Sequence, residues 1–207
     1  MQIQRVAVFC GSSDLADQSL IDMAETVGRR LAEYKIGVVY GGGRSGLMGA
    51  VARGAMGAGG EVIGVIPRGL FANEIPDGEV TERRVVADMH ERKKTMYHLS
   101  DAFLCLPGGL GTADELFEAA TWTQLGLHRQ GRDRGPAVGK AVVLLATDGY
   151  WDGIVAWLNV ATEAHLVGDV NRAIIRSTTS VDGALAALAE DPTRERPNYV
   201  IEGGGDQ

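Results

Sequence analysis

Cysteine is scarce in this chain, with only Cys10 and Cys105 among its 207 residues. Two cysteines do not make a disulfide framework, and no C-x-x-C motif is present. Each lies at or near the end of an apolar run, so we expect both thiols to be buried. No apolar run approaches the roughly 18 residues needed to span a bilayer, and the first residues lack the apolar segment of a signal peptide. These absences favour a cytoplasmic protein that does not bind membranes.

Positive charge is also in short supply, since 20 Lys and Arg stand against 27 Asp and Glu and give a net charge of −7. A protein that binds nucleic acid without sequence specificity would be basic, so that class is disfavoured. The 4 histidines share no ligand spacing and no H-E-x-x-H occurs, so we expect no metal site. Missing G-x-S-x-G and G-x-x-x-x-G-K-[ST] motifs disfavour an α/β-hydrolase triad and a P-loop enzyme.

Short apolar runs alternate along the chain with segments of helical period. The runs are continuous rather than alternating, which is typical of parallel strands covered by helices on both faces. We therefore predict a single doubly wound, Rossmann-like α/β domain over residues 1–190, with about seven strands, and a flexible tail over 191–207. The predicted strands are 5–10, 36–40, 61–66, 80–87, 101–106, 140–146 and 173–177. The predicted helices are 17–35, 45–58, 88–99, 113–127, 150–164 and 181–190.

Glycine is abundant, at 29 residues or roughly twice the usual share. Three clusters, at 11, 41–43 and 108–111, fall at the carboxyl ends of predicted strands, where sheets of this kind bind ligands. The residues from Gly41 to Gly46 match G-x-G-x-x-G, but Glu61 begins the next strand instead of ending it, so a dinucleotide site is weakly indicated. The alternatives are close helix–sheet packing, or a loop that approaches a nucleotide or a neighbouring loop.

The cluster that follows Pro107 has the features of a phosphate cradle. Its glycines give backbone N–H groups room to face an anion, the following helix N-terminus adds unpaired donors, and the Thr112 hydroxyl is a further donor. Glu115 has two interpretations of equal weight. It could act in catalysis, or it could complete a capping box in which its carboxylate accepts from the Thr112 backbone N–H.

Residues 88–99 form a predicted helix with an unusual inward face. Met89, Met96 and Leu99 define an apolar stripe, yet Arg92 and Lys93 occupy it too. A cation on an inward stripe needs an anionic partner unless its long side chain reaches solvent. We favour a functional role because the helix starts at the carboxyl end of a strand, whereas Lys94 has the pattern of a solvated surface charge.

These two segments together resemble the Lonely guy (LOG) family of cytokinin-activating phosphoribohydrolases, many of which carry the label "lysine decarboxylase". The resemblance rests on Met89-His90-Glu91-Arg92-Lys93 followed by Pro107-Gly108-Gly109-x-Gly111-Thr112-x-x-Glu115. It extends over most of the chain through motifs such as Cys10-Gly11-Ser12-Ser13, Tyr40-Gly41-Gly42-Gly43 and Thr121-Trp122-x-Gln124-Leu125-Gly126. The chain departs from the family by a polar insertion around 128–137 and by Asp114 in place of a glutamate.

The resemblance implies a homodimer that needs no cofactor and cleaves the N-glycosidic bond of N6-substituted adenosine 5′-monophosphates, and of AMP. Products would be the free base and ribose 5-phosphate. It implies that Arg92 and Glu115 are catalytic. It also implies that substrate contacts come from Glu74, Arg92, Lys93, Gly109, Leu110, Gly111, Thr112, Ala113, Asp114, Glu115 and Thr121.

In this chemistry a carboxylate beneath the sugar stabilises an oxocarbenium-like transition state, which is the role expected for Glu115. Arginine does not give up a proton in proteins, so Arg92 would act electrostatically. We expect that Glu115→Gln and Arg92→Ala each abolish turnover while the melting temperature stays nearly unchanged. Two alternatives remain: a non-catalytic carrier of a nucleotide or molybdenum cofactor, and a pyridoxal-phosphate decarboxylase, for which Lys93 would be the Schiff-base lysine.

Overall fold

A seven-stranded, all-parallel sheet with the strand order β4-β3-β2-β1-β5-β6-β7 organises the chain. The computed structural model describes residues 3–69, 79–128 and 139–189. The strands are β1 (Arg5–Phe9), β2 (Gly37–Tyr40), β3 (Val62–Pro67), β4 (Glu82–Val86), β5 (Ala102–Cys105), β6 (Val142–Leu145) and β7 (Ile175–Thr178). The helices are α1 (Gln18–Glu33), α2 (Gly46–Gly57), α3 (Met89–Leu99), α4 (Leu110–Leu125), α5 (Asp152–Glu163), α6 (Asp169–Arg172) and α7 (Val181–Leu188). The doubly wound, single-domain architecture is thus confirmed.

Two apolar cores, one on each face of the sheet, hold the layers together. Alternate residues of β1 point to opposite faces, so Val6 and Val8 join the core under α1, α2 and α7. Ala7 and Phe9 join the core under α3, α4 and α5. Every residue of the central strands β2, β3, β5 and β6 is buried, whereas the edge strand β4 is partly exposed. This pattern explains why the central strands are continuous apolar runs.

The elements agree with the sequence predictions in burial but differ in some boundaries. Cys10 and Cys105 are both buried, as expected. Helix α4 begins at Leu110, three residues before the predicted start at 113. The short helix α6 and a 3-10 turn at Thr147–Gly149 were not predicted. Among the residues described, no helix combines the length and apolarity needed to cross a membrane. The predicted tail 191–207 lies outside the described residues.

Helices α1 and α2 approach each other so closely that glycine is required at their contact. A Cβ at Gly28 would lie 2.1 Å from the carbonyl oxygen of Val51, and one at Gly54 would lie 2.0 Å from that of Glu25. Both distances are far below van der Waals contact, so any larger residue would push the helices apart. Part of the glycine excess therefore serves helix–helix packing.

We predict that Gly54→Ala lowers the free energy of unfolding by about 1–3 kcal/mol, because the methyl group overpacks this contact. Gly57→Ala is the matched control on the same helix, since a Cβ there would meet no atom within 4 Å. Its exposed position should tolerate alanine, with a gain of up to ~1 kcal/mol from helix propensity. Urea denaturation of both variants measures the difference. Equal effects at the two positions would contradict the packing argument.

Candidate functional site

The loops that follow β1, β2 and β5 meet at the carboxyl edge of the sheet. The Gly11 N–H donates to the Pro107 carbonyl at 3.0 Å, and the Met48 N–H donates to the Gly11 carbonyl at 3.1 Å. All three glycine clusters therefore come together at one edge, as the sequence predicted. This is the edge at which open parallel sheets place their ligands.

Arg92 enters this edge from the first turns of α3. Two hydrogen bonds cap the helix: Asp88 Oδ1 accepts from the Glu91 N–H at 2.8 Å, and Glu91 Oε2 accepts from the Ala87 N–H at 2.6 Å. This cap fixes the start of α3 and directs the next side chain inward. Arg92 is only 3% exposed. The inward cation that the sequence indicated is therefore a buried one.

Three acceptors from three different elements hold the Arg92 guanidinium. Nε donates to the Val65 carbonyl at 3.1 Å, Nη2 donates to the Gly41 carbonyl at 3.1 Å, and Nη1 donates to Glu115 Oε1 at 3.0 Å. The ion pair with Glu115 is almost completely removed from solvent. A buried charge needs such partners, and here they also fix the direction of the guanidinium.

The G-x-G-x-x-G segment is explained by close contacts of its glycines. A Cβ at Gly41 would lie 1.8 Å from Nη2 of Arg92, so only glycine leaves room for the guanidinium. Gly42 has a φ of +76° and lies against Ile66, and Gly46 has a φ of +55° and lies against the Ser13 backbone. Of the interpretations left open above, a loop that approaches its neighbours fits these contacts.

Glu115 faces Arg92, and the capping-box interpretation is wrong. Helix α4 starts at Leu110 with Gly109 as its N-cap, so Thr112 already lies within the first turn. The Glu115 carboxylate is 5% exposed and is directed toward α3. Burial raises the pKa of Glu115 to about 7, although the nearby Arg92 charge opposes this shift. The group is therefore poised to gain or lose a proton close to neutral pH.

Lys93 makes a second link between α3 and α4. Its Nζ lies 2.9 Å from Asp114 Oδ2 and 2.5 Å from Glu118 Oε2. Tyr97 Oη donates to the same Glu118 oxygen at 3.0 Å. Burial opposes the charge on Lys93, but these two carboxylates outweigh it and raise its pKa. Lys93 therefore remains a cation that fastens the helices beside the Arg92–Glu115 pair.

The inward stripe of α3 differs from the prediction at one end. Met89 is 37% exposed, whereas Met96 is buried and Arg92 and Lys93 lie between them. The start of the stripe is thus polar because it faces the carboxylates of α4. Lys94 is exposed, as predicted.

The glycines of the loop from Gly108 to Thr112 differ in what surrounds them. A Cβ at Gly108 would lie 2.1 Å from Thr112 Oγ1, so packing accounts for this glycine. A Cβ at Gly109 or Gly111 would meet no atom within 4 Å. Neither of these two has a positive φ. Their lack of a side chain leaves open space at the N-terminus of the 16-residue helix α4. Unpaired N–H groups at such a helix end are suited to an anion.

The remaining residues predicted to contact substrate differ in their exposure and in whether they face the Arg92–Glu115 pair. Leu110 is 91% exposed at the helix start, Ala113 is partly buried, and Asp114 is exposed apart from its bond to Lys93. Thr121 is exposed and its hydroxyl donates to the Phe117 carbonyl at 2.7 Å, so it is not directed at the Arg92–Glu115 pair. Glu74 and most of the polar insertion lie outside the described residues.

Two contacts at this edge were not predicted from the sequence. Tyr150 Oη donates to the Gly108 carbonyl at 2.7 Å from the loop after β6, and Glu118 bonds Lys93. Glu118 could have been found, since it lies four residues after Asp114 on the same helix face. Tyr150 gives only a weak signal, as the residue that follows an Asp-Gly turn.

Comparison with known proteins gives consistent matches along the chain. The family model described as "Possible lysine decarboxylase" matches residues 48–188. Cytokinin riboside 5′-monophosphate phosphoribohydrolase LOG3 of Arabidopsis thaliana is 40% identical over 94% of this chain and 86% of its own length. The corresponding LOG enzyme of Oryza sativa subsp. japonica is 41% identical over 86% of this chain and 70% of its own. This chain belongs to the LOG family.

Solved structures show that the LOG-family fold extends beyond phosphoribohydrolases. The molybdenum cofactor carrier protein of Chlamydomonas reinhardtii superposes with a TM-score of 0.64 at 24% identity, covering 90% of this chain and 96% of the carrier. DNA processing protein A of Streptococcus pneumoniae superposes with a TM-score of 0.55 at 16% identity, over 89% of this chain and 62% of that protein. At these identities the likeness concerns the fold alone.

We predict that the stability of this protein falls as pH rises between about 4.5 and 7, to the extent that Glu115 controls it. The folded state raises the pKa of Glu115 from an ordinary value of 4.5 to about 7, so it binds the proton more tightly than the unfolded chain in this window. Wild type should therefore lose stability relative to Glu115→Gln by about 3 kcal/mol as the pH rises through both pKa values, and little further above about pH 8. Urea denaturation of both proteins from pH 5 to 8 measures the change. A difference that is independent of pH would contradict the burial argument.

Proposed function

We propose that this protein is a phosphoribohydrolase that cleaves the N-glycosidic bond of adenosine 5′-monophosphates, including those with an N6 substituent, to free base and ribose 5-phosphate. Relatives named for the cleavage of cytokinin riboside 5′-monophosphates are about 40% identical over most of both chains. The observation that carries the proposal is the buried Arg92–Glu115 pair beside an open, glycine-lined helix N-terminus.

Glu115 supplies the negative charge that this reaction needs. As the C1′–N9 bond breaks, its electron pair leaves with the base and positive charge develops on the ribose ring. A carboxylate beneath the ring stabilises that charge and accepts a proton from the water that attacks C1′. Because burial raises the pKa of Glu115 to about 7, the carboxylate is basic enough to take this proton at neutral pH. The departing base takes up a proton from solvent, and Glu115 then releases its own proton, which restores the carboxylate.

Arg92 acts by its charge and by its fixed position. Its bonds to Val65 and Gly41 anchor the guanidinium to the sheet, so its bond to Glu115 Oε1 sets the direction of the carboxylate. The charge also favours the ionised form of Glu115. Since Arg92 is buried and holds three acceptors, Arg92→Ala should destabilise the fold as well as abolish turnover, contrary to the expectation from sequence.

The loop from Gly109 to Thr112 would bind the 5′-phosphate. Open space above Gly109 and Gly111 leaves room for phosphate oxygens at the helix N-terminus, where the N–H groups and the helix dipole favour an anion. Phosphate bound there anchors the sugar, which places C1′ near Glu115. Lys93, whose ammonium is held by Asp114 and Glu118, contributes positive charge nearby.

A pyridoxal-phosphate decarboxylase finds no support in the environment of Lys93. A Schiff-base lysine must lose its proton to react. Here two carboxylates raise the pKa of Lys93 and keep it charged. The label attached to the family model therefore does not match the chemistry of this site.

The proposal includes a homodimer whose contact involves α4 and α5. Trp157 is 52% exposed and Val160 is 62% exposed on α5, and Leu125 is 55% exposed on α4. Trp157 packs edge-on against Phe117 of α4, with ring centroids 5.5 Å apart, so the two helices share an apolar surface. Exposed clusters of this kind are typical of protein–protein contacts.

Incubation with AMP and with isopentenyladenosine monophosphate tests the proposed reaction. We expect free base to be released from both monophosphates, and little from adenosine, because the phosphate orients the sugar. Chromatography of the products measures the release. Equal turnover of nucleosides would contradict the phosphate role, and binding of the monophosphates without cleavage would support a carrier instead.

We predict that Glu115→Gln lowers kcat for AMP by on the order of 10³-fold, because the amide carries no charge and takes no proton. Glutamine keeps the size of the side chain and can still accept from Arg92, so binding of ribose 5-phosphate should persist. Glu25→Gln, the same change at an exposed position on α1, is the matched control and should retain wild-type kcat. A Glu115→Gln variant with near-normal kcat would contradict the proposed role.

A further inference from the structure

Tyr150 makes a contact with the loop from Gly108 to Thr112 that none of the interactions described above requires. It lies after β6, the strand next to β5 in the sheet, so its side chain reaches the neighbouring loop across the carboxyl edge. Its hydroxyl donates to the Gly108 carbonyl at 2.7 Å, although the two residues are 42 positions apart. The side chain is 48% exposed, so its burial contributes little to the core.

The segment that presents Tyr150 has an unusual backbone. Asp148 has a φ of +53° and Gly149 a φ of +75°, so two consecutive residues are left-handed. Asp148 is one of three described residues other than glycine with a positive φ. The next residue, Trp151, anchors the segment because it is only 4% exposed. Its ring packs edge-on against the Tyr150 ring, with the ring centroids 5.1 Å apart. Left-handed backbone at a non-glycine residue persists where the surroundings fix it. The Tyr150 ring is therefore held in place.

The acceptor of this bond belongs to the same peptide group as the Gly109 N–H. A trans peptide is planar, with its C=O and N–H pointing in opposite directions, so holding the Gly108 oxygen also fixes the direction of the Gly109 N–H. Within the described residues, this N–H donates to no protein acceptor. A hydrogen bond accepted by the carbonyl also polarises the peptide and strengthens its N–H as a donor.

In the part of the chain that the structure describes, the bond from Tyr150 is the hydrogen bond that the C=O of this peptide accepts, and its N–H donates none. Gly108 is confined on one side, since a Cβ there would lie 2.8 Å from the Gly11 nitrogen. Gly109 has open space around it, and its carbonyl accepts from the Ala113 N–H at 3.1 Å, so α4 holds the peptide that follows Gly109 and not the one that precedes it. The Tyr150 hydroxyl is thus the contact that sets the orientation of the peptide between Gly108 and Gly109.

We propose that Tyr150 is a positioning residue for phosphate binding: its hydroxyl orients the peptide between Gly108 and Gly109, so that the Gly109 N–H donates to the 5′-phosphate of the substrate. This inference rests on the proposed function, because it assumes that the loop binds a phosphate. Tyr150 itself touches no substrate atom in this arrangement. Its effect should appear in affinity for phosphate-bearing ligands and should be absent for ligands without a phosphate.

Titration of purified protein with ribose 5-phosphate, and separately with adenine, tests the inference in wild type, Tyr150→Phe and Tyr34→Phe. Phenylalanine keeps the ring against Trp151 and removes only the hydroxyl. We expect the Kd for ribose 5-phosphate to rise roughly five- to ten-fold in Tyr150→Phe, which is the usual effect of one lost hydrogen bond. The Kd for adenine should not change. Tyr34, exposed at the end of α1, is the matched control and its variant should behave as wild type.

Kinetics on AMP provide the second measurement. KM should rise by a similar factor in Tyr150→Phe, with kcat within about two-fold of wild type, because the hydroxyl acts on binding.

An unchanged Kd for ribose 5-phosphate would overturn the inference. Equal weakening of ribose 5-phosphate and adenine binding would also overturn it, because that result indicates a general loosening of the site. Wild type that fails to bind ribose 5-phosphate overturns it too. Wild type that binds ribose 5-phosphate but does not cleave AMP contradicts the proposed reaction only, and the titration then still decides the role of Tyr150.

Discussion

An arginine and a glutamate buried together at the edge of a sheet are costly to remove from water, and the structure around them is arranged to offset that cost. Arg92 reaches two backbone carbonyls as well as Glu115, so its desolvated charge has three acceptors. Those carbonyls belong to β3 and to the glycine loop after β2. The position of the pair is therefore tied to the sheet itself, and the loops and helices at this edge must accommodate it.

Several features that seem unrelated in the sequence follow from this constraint. Gly41 has to be glycine because the guanidinium occupies the space of its side chain. The capping bonds made by the Asp88 and Glu91 side chains fix the first turn of α3, which carries Arg92 inward. Lys93 adds a second cation on the same turn, and Asp114 and Glu118 balance it. The consequence is a helix pair whose facing surfaces are joined by charge at one end and by apolar packing at the other.

The sequence predicted the sheet because five strands are buried on both faces and their residues are continuously apolar. It also predicted that Arg92 and Lys93 point inward, since cations that interrupt an apolar stripe need a partner. It could not decide the role of Glu115, because Thr-x-x-Glu spacing fits both a cap and a catalytic group. The observed start of α4 at Leu110 excludes the cap, and that start was placed too late because Gly109 and Gly111 have low helix propensity. Tyr150 was missed since its contact joins residues 42 positions apart.

The same fold serves proteins named for carrying a molybdenum cofactor and for processing DNA, so function has to be argued from the site. A carrier needs a cradle for its ligand, and the open glycines at the start of α4 would suffice for that. It has no need of a buried carboxylate whose pKa is raised to about 7 and whose direction is fixed by an arginine. Maintaining such a group costs stability as the pH rises from about 4.5 to 7, and a binding protein gains nothing from that loss. A hydrolase does gain, because the same desolvation that destabilises the ionised carboxylate makes it a stronger base and strengthens its attraction for a developing positive charge.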